Sequence, residues 1–227
     1  MHIVVLIIVL LAVLVGPGLW IKRVMRRYSK PEDRYDLSGE QVARKLLDAN
    51  NLKEVAVEET QVGDHYDPIE RVVRLTPDHL HKHSLAAVTI AAHEVGHAVQ
   101  DAQGYPALKW RTRLVRLLGP VEKIGAGVLM STPLIIAITR HPIAGLLTFA
   151  GGFLALGSGV VIHLFTLPSE FDASFKRALP MLEEHGILYR SDARHAKKLL
   201  TAAAMTYVAA SLMSLLNVAR WWTILRR

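Results

Sequence analysis

Cysteine is absent from the 227-residue chain. Without it the chain can form neither a disulfide nor a thiolate metal ligand, so any metal site has to use histidine, aspartate or glutamate. Internal repeats and low-complexity segments are also missing from residues 30–119, the one long stretch with an ordinary soluble composition. A chain of this length is expected to form one or at most two domains with a sizeable core.

Acidic residues are fewer than basic ones: the chain has 20 aspartates and glutamates and 27 lysines and arginines, which gives a net charge of +7. A basic balance often indicates nucleic-acid binding. Here much of the excess flanks apolar segments, as Arg111, Arg113 and Arg116 do, and such positions favour contact with anionic lipid. We therefore expect the lipid bilayer as a partner, and no nucleic acid.

Hydrophobic residues make up 51% of the chain and are bunched into four blocks. The first block, 3–21, carries no charge, is long enough to cross a bilayer as a helix, and is followed directly by Lys22 and Arg23. A secretory signal peptide would carry its charge before the apolar run and a cleavage site after it. The block therefore predicts a retained transmembrane anchor at 1–21, with residue 22 onward on the cytoplasmic side.

The second and third blocks, 124–139 and 142–167, are separated only by Arg140 and His141. So short a connection predicts a transmembrane helical hairpin, assigned to 119–167, that returns the chain to its starting side. The fourth block, 199–219, has no formal charge and fits either a fourth span or a buried helix. We expect a mainly α integral membrane protein with three or four spans.

Local patterns in the soluble stretch predict two helices and a small β-hairpin. Ser38 precedes an apolar rhythm that predicts an N-capped helix over 38–50. The segments 55–60 and 72–75 are rich in β-branched residues and are joined by the turn-rich sequence GDHYDP, which predicts the hairpin. Over 84–104 the apolar spacing is that of a buried helix.

The sequence HEVGH lies in the middle of that last helix. Residues four apart on a helix lie one turn above each other, so His93 and His97 can bind the same metal ion. Glu94 lies between them, within reach of a metal-bound water without being a ligand. This pattern is typical of a hydrolytic zinc site, which has three protein ligands and one position open for water. The alternative is a pair of solvated histidines on an amphipathic helix.

A third ligand has to come from another part of the chain, on the same side of the membrane. Glu170 and Asp172 are the only acidic residues between the second apolar block and Met181. A carboxylate close to the edge of a bilayer is costly unless it has a partner, which favours Glu170 as the ligand. Asp172 is expected to orient a ligand. Alternatively, Glu170 only caps the helix that follows Pro168.

Several longer segments resemble the neutral zinc metallopeptidases of the YugP type, which are small bacterial membrane proteins. The resemblance covers nearly the whole chain and is carried by GDHYDP at 63–68, RVVRLTPDHL, SLAAVTIAAHEVGHAVQDAQGY at 84–105, LPSEFDAS at 167–174 and AAAMTYVAA at 202–210. The order of parts is similar to that of membrane gluzincins, in which a transmembrane hairpin separates the two-His helix from a ligand Glu. Many of those carry Asp four residues after the Glu. Ser174 stands there in this chain and is, beside Asp172, a candidate partner of the histidines, although the partner is left open.

The resemblance implies a membrane-bound endopeptidase with one zinc ion and a zincin-like core, acting on membrane or membrane-proximal proteins at the cytoplasmic face of a bacterial membrane. Zinc would lower the pKa of its bound water, and Glu94 would take the proton during attack on the scissile carbonyl. Tyr207 is the candidate oxyanion donor, because a phenol in an Ala-rich apolar helix needs a polar partner. His185 and His195 are rivals, and Tyr207 also fits a plain core residue. A metal-binding membrane scaffold or assembly factor without turnover is the alternative function.

Four regions are expected to form one catalytic unit, with the oligomeric state open and a homodimer as one option. They are the anchor at 1–21, a catalytic region at 30–118, the hairpin at 119–167, and a third-ligand helix with a C-terminal apolar helix at 168–227. The strand at 72–75 is expected to present an edge to an extended substrate. Three further histidines, His79, His81 and His83, fit either a second metal site or a solvated loop, and His163 is expected at the membrane interface.

Overall fold

The computed structural model describes the backbone of residues 2–225 and the side chains of residues 12, 15–121, 123–125, 127–155 and 157–213. These residues divide into two compact units. One unit contains Trp110–Thr166 with the terminal stretches up to Val15 and from Tyr207, and the other contains Gly16–Lys109 and Leu167–Thr206. The two-His motif and Glu170 belong to the second of these units.

Helices account for most of the described backbone. The α-helices are α1 (His2–Tyr28), α2 (Gly39–Ala49), α3 (Pro77–Leu80), α4 (Leu85–Ala102), α5 (Pro106–Thr139), α6 (Pro142–Phe171), α7 (Leu179–Glu184) and α8 (Ala193–Leu225). A π-helical segment, Asp172–Ala178, joins α6 to α7, and a short 3-10 turn, Arg190–Asp192, precedes α8. The strands are β1 (Ala56–Glu59), β2 (His65–Asp67) and β3 (Val72–Leu75).

The two helices predicted in the soluble stretch are confirmed as α2 and α4. The side chain of Ser38 accepts the backbone N–H of Gln41, whose own side chain accepts the N–H of Ser38, so that α2 begins with a capping box. Ser84 caps α4 in the same way by accepting the N–H of Ala87. All residues of α4 from Leu85 to Gln100 are buried, because α2, β2, β3 and the π-helical segment all pack around it.

The predicted β-hairpin is wrong in its pairing. The order of the sheet is β1-β3-β2, and β1 runs parallel to β3 with Ala56 opposite Val72. The sequence GDHYDP, predicted to be only a turn, contains β2, which pairs antiparallel with β3 and places His65 opposite Arg74. β3 is therefore the central strand and not an edge, so it cannot pair with a substrate strand.

The predicted membrane hairpin is helical, and its helices extend beyond the predicted bounds. α5 begins well before the second apolar block, and its two parts around Gly125 and Gly127 are bent by 47°. By length and composition, the continuous helix over 142–184 can cross a membrane, and α5 would be a second span if its two parts count as one. The predicted anchor and fourth block are helical in α1 and α8, but many of their side chains lie outside the described residues.

Candidate metal centre

His93 and His97 lie one turn apart on α4, with both side chains buried. Their ring centroids are 4.8 Å apart and the rings are nearly perpendicular. Glu94, between them in sequence, is also buried, with 6% of its surface exposed. A helix buried on all sides is an expensive place for three such polar groups unless they have partners, which indicates a functional arrangement.

Glu170 reaches the two imidazoles from the end of α6. Its Oε2 lies 3.2 Å from His93 Nε2, and its Oε1 lies 3.4 Å from His97 Nε2. Only 1% of Glu170 is exposed, and its Oε1 has no hydrogen-bond partner among the described residues. One ligand atom from each residue can be chosen so that all three lie within 4.8 Å of one another. A carboxylate oxygen buried without a hydrogen bond is rare and calls for a cation or a donor that the chain itself does not supply.

The charge of Glu170 suits a divalent cation. Burial raises the pKa of its carboxyl, but the nearby imidazoles of His97 and His93 have the larger combined effect and hold the pKa well below its usual range. The group is therefore an anion at neutral pH. Two imidazole nitrogens and one carboxylate oxygen are a donor set that zinc uses in hydrolytic sites, so the residues present fit the ion.

Each imidazole turns its Nε2 towards Glu170, and its other nitrogen, Nδ1, contacts Gln100 in His97 and Ser174 in His93. His97 Nδ1 lies 3.0 Å from Gln100 Oε1, and His93 Nδ1 lies 3.1 Å from Ser174 Oγ. Gln100 Nε2 donates to two acceptors, the backbone oxygen of Ser169 at 2.8 Å and Asp172 Oδ1 at 2.9 Å, which fixes the orientation of the amide. Its Oε1 must then accept a hydrogen bond from the Nδ1–H of His97. The lone pair of His97 is left on Nε2, towards Glu170.

Asp172 contacts Gln100, which in turn contacts His97, and no hydrogen bond joins Asp172 to a histidine among the described residues. Its Oδ1 accepts from Gln100 and also from Arg177 Nε, at 2.6 Å. Arg177 in turn donates to Gln103 Oε1 at 2.8 Å, beyond the end of α4. This chain of hydrogen bonds ties α4 to the π-helical segment that follows Glu170.

Gly96 lets the π-helical segment approach α4 closely. A Cβ atom at Gly96 would lie 2.7 Å from the backbone oxygen of Ala173, which is closer than real side chains allow. Because Ala173 precedes Ser174, this approach brings the Ser174 hydroxyl to His93. π-helical turns inside longer helices are frequent at functional sites, since the extra residue redirects the side chains around it.

The other predicted site residues have partners elsewhere. Tyr207 belongs to the unit that does not contain the histidine pair, and its hydroxyl accepts a hydrogen bond of 3.1 Å from Arg111 Nη2. The ring of His163 lies 6.2 Å from that of Tyr207. His185 ends α7, and the His195 ring lies 5.2 Å from the Tyr28 ring. The role of Tyr207 as an oxyanion donor stays a prediction.

The three histidines ahead of α4 each contact a different group. His79 Nδ1 lies 2.7 Å from Asp64, His81 Nε2 lies 2.9 Å from Glu59, and His83 Nδ1 lies 3.0 Å from the backbone oxygen of Tyr35. The three histidines therefore do not converge on one point. Among the described residues, a group able to hold a metal ion occurs only at His93, His97 and Glu170.

Sequence reasoning missed Gln100 and Arg177. The signal for Gln100 was available, because it follows His97 by three residues and His93 by seven and so lies on the same face of α4. Arg177 could not be recognised, since its role depends on where the π-helical segment lies.

Comparison with known proteins gives the family. Residues 3–226 match the family described as "Putative neutral zinc metallopeptidase". The chain belongs to this family. It is also similar to "Putative membrane protease YugP" of Bacillus subtilis (strain 168), with 37% identity over 204 residues that cover 88% of this chain and 86% of the relative. No solved structure matches the chain. The resemblance stated from the sequence motifs is confirmed.

Proposed function

We propose that the chain is a membrane-bound zinc endopeptidase whose ion is held by His93, His97 and Glu170. The observation that carries the proposal is the convergence of three buried donor groups on one point, with Glu170 Oε1 lacking a hydrogen bond. A purely structural cluster would satisfy that oxygen internally. Family membership supports a zinc-dependent protease. Glu170 as the third ligand would make it a gluzincin.

The chain's own residues would prepare and carry out proton transfer. When bound, zinc lowers the pKa of water and polarises a carbonyl group. Glu94 would accept the proton of the attacking water and pass it to the leaving amine. Gln100 and Ser174 would hold both imidazoles with Nε2 available to the ion, and Asp172 would fix Gln100. Tyr207 would donate to the developing oxyanion.

The site would lie near the cytoplasmic face of a bacterial cytoplasmic membrane. Support comes from the helix over 142–184, whose apolar block ends at Leu167, three residues before Glu170. The relative from Bacillus subtilis is named a membrane protease. Substrates would therefore be membrane proteins or protein segments close to the membrane, reached where the chain leaves the lipid.

The test uses full-length protein purified in detergent, with zinc content and casein cleavage measured on the same samples. We expect Glu170→Ala to lose zinc and activity together. Glu94→Gln should keep zinc and lose activity by about 10²- to 10⁴-fold, the usual contribution of a general base. Glu183→Gln, an exposed glutamate on α7, is the matched control and should change neither quantity.

Each outcome separates the enzyme from the alternative of a metal-binding scaffold. A Glu94→Gln variant that binds zinc and also cleaves casein at the wild-type rate would contradict the mechanism. A wild-type protein that binds zinc stoichiometrically and cleaves neither casein nor peptides would favour the scaffold.

For Tyr207, the Phe variant should lower turnover by about 10²-fold with folding intact, and unchanged turnover would remove Tyr207 from the mechanism.

A further inference from the structure

A basic pocket of about 960 Å³ lies between α1 and the start of α8, far in sequence from the metal ligands. All its lining residues belong to the unit that contains Gly16–Lys109 and Leu167–Thr206. Six of them are cations. They are Lys22, Arg23, Arg26, Arg27, Lys30 and Lys198.

None of these six cations forms an ion pair with a carboxylate in the part of the chain that the structure describes. Elsewhere in the same unit, cations are regularly paired, as Arg177 is with Asp172 at 2.6 Å and Arg34 with Asp192 at 2.7 Å. Asp192, which precedes α8 directly, has its oxygens taken up by Arg34 and Tyr35. The pocket therefore concentrates positive charge that the protein does not neutralise, and it complements an anion.

In both α1 and α8, the boundary between charged and apolar sequence lies at this pocket. The uncharged run 3–21 of α1 ends just before Lys22, and the uncharged run 199–219 of α8 begins just after Lys198. These boundaries are far apart in sequence and meet in space. Leu19 and Trp20 line the pocket beside the cations, with 62% and 37% of their surfaces exposed. Trp beside Lys and Arg at the end of an apolar helix is typical of the headgroup level of a membrane.

We propose that this pocket binds the phosphate headgroup of an anionic phospholipid such as phosphatidylglycerol, with Lys198 acting together with the α1 cations and the acyl chains lying along Leu19 and Trp20. The proposal rests on the membrane placement proposed above, and it does not depend on zinc or on turnover. A headgroup satisfies the unpaired charge and the exposed apolar side chains together, which a free anion cannot do.

The distinguishing feature is Lys198, because basic residues that flank an apolar helix can serve orientation alone, whereas Lys198 of α8 lines the same pocket as the cations of α1. Lys197 and Lys198 are adjacent and both exposed, but only Lys198 lines the pocket. The variants Lys198→Gln and Lys197→Gln are therefore a matched pair with equal change in net charge.

The experiment titrates the detergent-purified full chain with phosphatidylglycerol or phosphatidylcholine and counts bound lipid by native mass spectrometry. We expect the wild type to retain phosphatidylglycerol in preference to phosphatidylcholine. Lys198→Gln and Arg27→Gln should each weaken phosphatidylglycerol binding about fivefold, the effect of one cation near an anionic surface. Lys197→Gln should bind as the wild type does.

Three outcomes would overturn the proposal. Equal retention of the two lipids would exclude headgroup charge as the determinant. Equal losses in Lys197→Gln and Lys198→Gln would indicate a diffuse charge effect without a built pocket. Displacement of the lipid by millimolar inorganic phosphate would identify a site for a soluble phosphate. A failure of this kind would leave zinc content and casein cleavage unaffected, so it is distinct from a failure of the peptidase assignment.

Discussion

Gln100 decides which nitrogen of His97 faces Glu170. It is completely buried, and its amide is held by Ser169 and Asp172 on one side while its oxygen accepts the Nδ1 proton of His97 on the other. Replacing it by Leu keeps the volume and removes the acceptor. The Nδ1–H of His97 would then be buried without a partner, and the imidazole would be free to turn or to change tautomer.

We expect Gln100→Leu to weaken zinc binding by about 10- to 100-fold, as the loss of a partner behind a metal-binding histidine does elsewhere. The measurement is the zinc dissociation constant by competition with a chromogenic chelator. Gln103→Leu is the control, because Gln103 is exposed and, among the described residues, its side chain hydrogen-bonds to Arg177 alone. Equal affinities for Gln100→Leu and the wild type would show that Gln100 does not position His97.

Asp192 gives the fold a dependence on acid pH. Its buried carboxylate accepts hydrogen bonds from Arg34 and from the Tyr35 hydroxyl. Burial raises the pKa of Asp192, but the bonds from Arg34 and Tyr35 outweigh that effect and lower the pKa below its usual value. A lowered pKa contributes stability that is fully present above the unfolded value near 4 and is lost as the pH falls through the folded value.

The variant Asp192→Asn should therefore be less stable than the wild type at pH 7, by about 1 kcal/mol or more after allowance for the partly exposed Arg34. Thermal unfolding measured from pH 7 down to pH 3 checks this. The difference in Tm should shrink below about pH 4, where the unfolded state begins to bind a proton on this carboxyl while the folded state still does not. A difference that stays constant with pH would mean that the carboxylate charge is not what stabilises this contact.

At the scale of elements, the helices were predictable and the sheet was not. The start of α2 follows from Ser38 and Gln41, and α4 follows from Ser84 and an apolar period, so each depends on neighbours a few residues away. β1 pairs with β3, although β2 lies between them in sequence, and no local sequence pattern predicts this strand order. The pairing of His93 with His97 was predictable because it depends only on their spacing of four residues within α4. Ser174 was a candidate only because it stands where many membrane gluzincins carry Asp, since its contact with His93 depends on the π-helical segment.

The contact of α4 with the π-helical segment should tolerate no side chain at Gly96. In Gly96→Ala, the new Cβ would press on the backbone of Ala173, and backbone cannot yield as a flexible side chain can. We expect destabilisation of about 1–3 kcal/mol, the usual cost of overpacking, together with reduced zinc content because Ser174 moves away from His93. Thermal unfolding and metal analysis of the purified variant measure the two effects.

Gly119→Ala is the matched control for that substitution. Gly119 also lies inside a helix, but a Cβ there would meet nothing within 4 Å. Alanine should leave zinc content unchanged and cost less stability than Gly96→Ala does, because it meets only the restriction that the following Pro120 places on the preceding residue. If Gly96→Ala behaved like Gly119→Ala, close packing at Gly96 would not be a requirement of the site.

For the whole molecule, sequence alone predicted two long apolar helices joined at 140–141 but not the division of the chain into two compact units. A long uncharged run marks a candidate span, because a helix needs about 20 apolar residues to cross a bilayer. The unit boundaries fall inside α1, α5, α6 and α8, so each of these helices continues from one unit into the other without a linker that a composition shift would mark. The proposed headgroup pocket lies close to two of those boundaries, in α1 and α8.

Because the chain has no cysteine, each thiol introduced into it is unique, and this makes the proposed membrane orientation directly testable. Val62, with 87% of its surface exposed, lies in the loop between β1 and β2, and His141 lies exposed in the connection between α5 and α6. If residue 22 onward is cytoplasmic and α5 and α6 both cross the membrane, these two positions face opposite compartments. A membrane-impermeant maleimide added to intact spheroplasts should label His141→Cys and spare Val62→Cys, and inverted vesicles should give the reverse. Labelling of both variants from the same side would mean that α5 and α6 do not span, and labelling in the reversed pattern would put the candidate metal centre on the outer face.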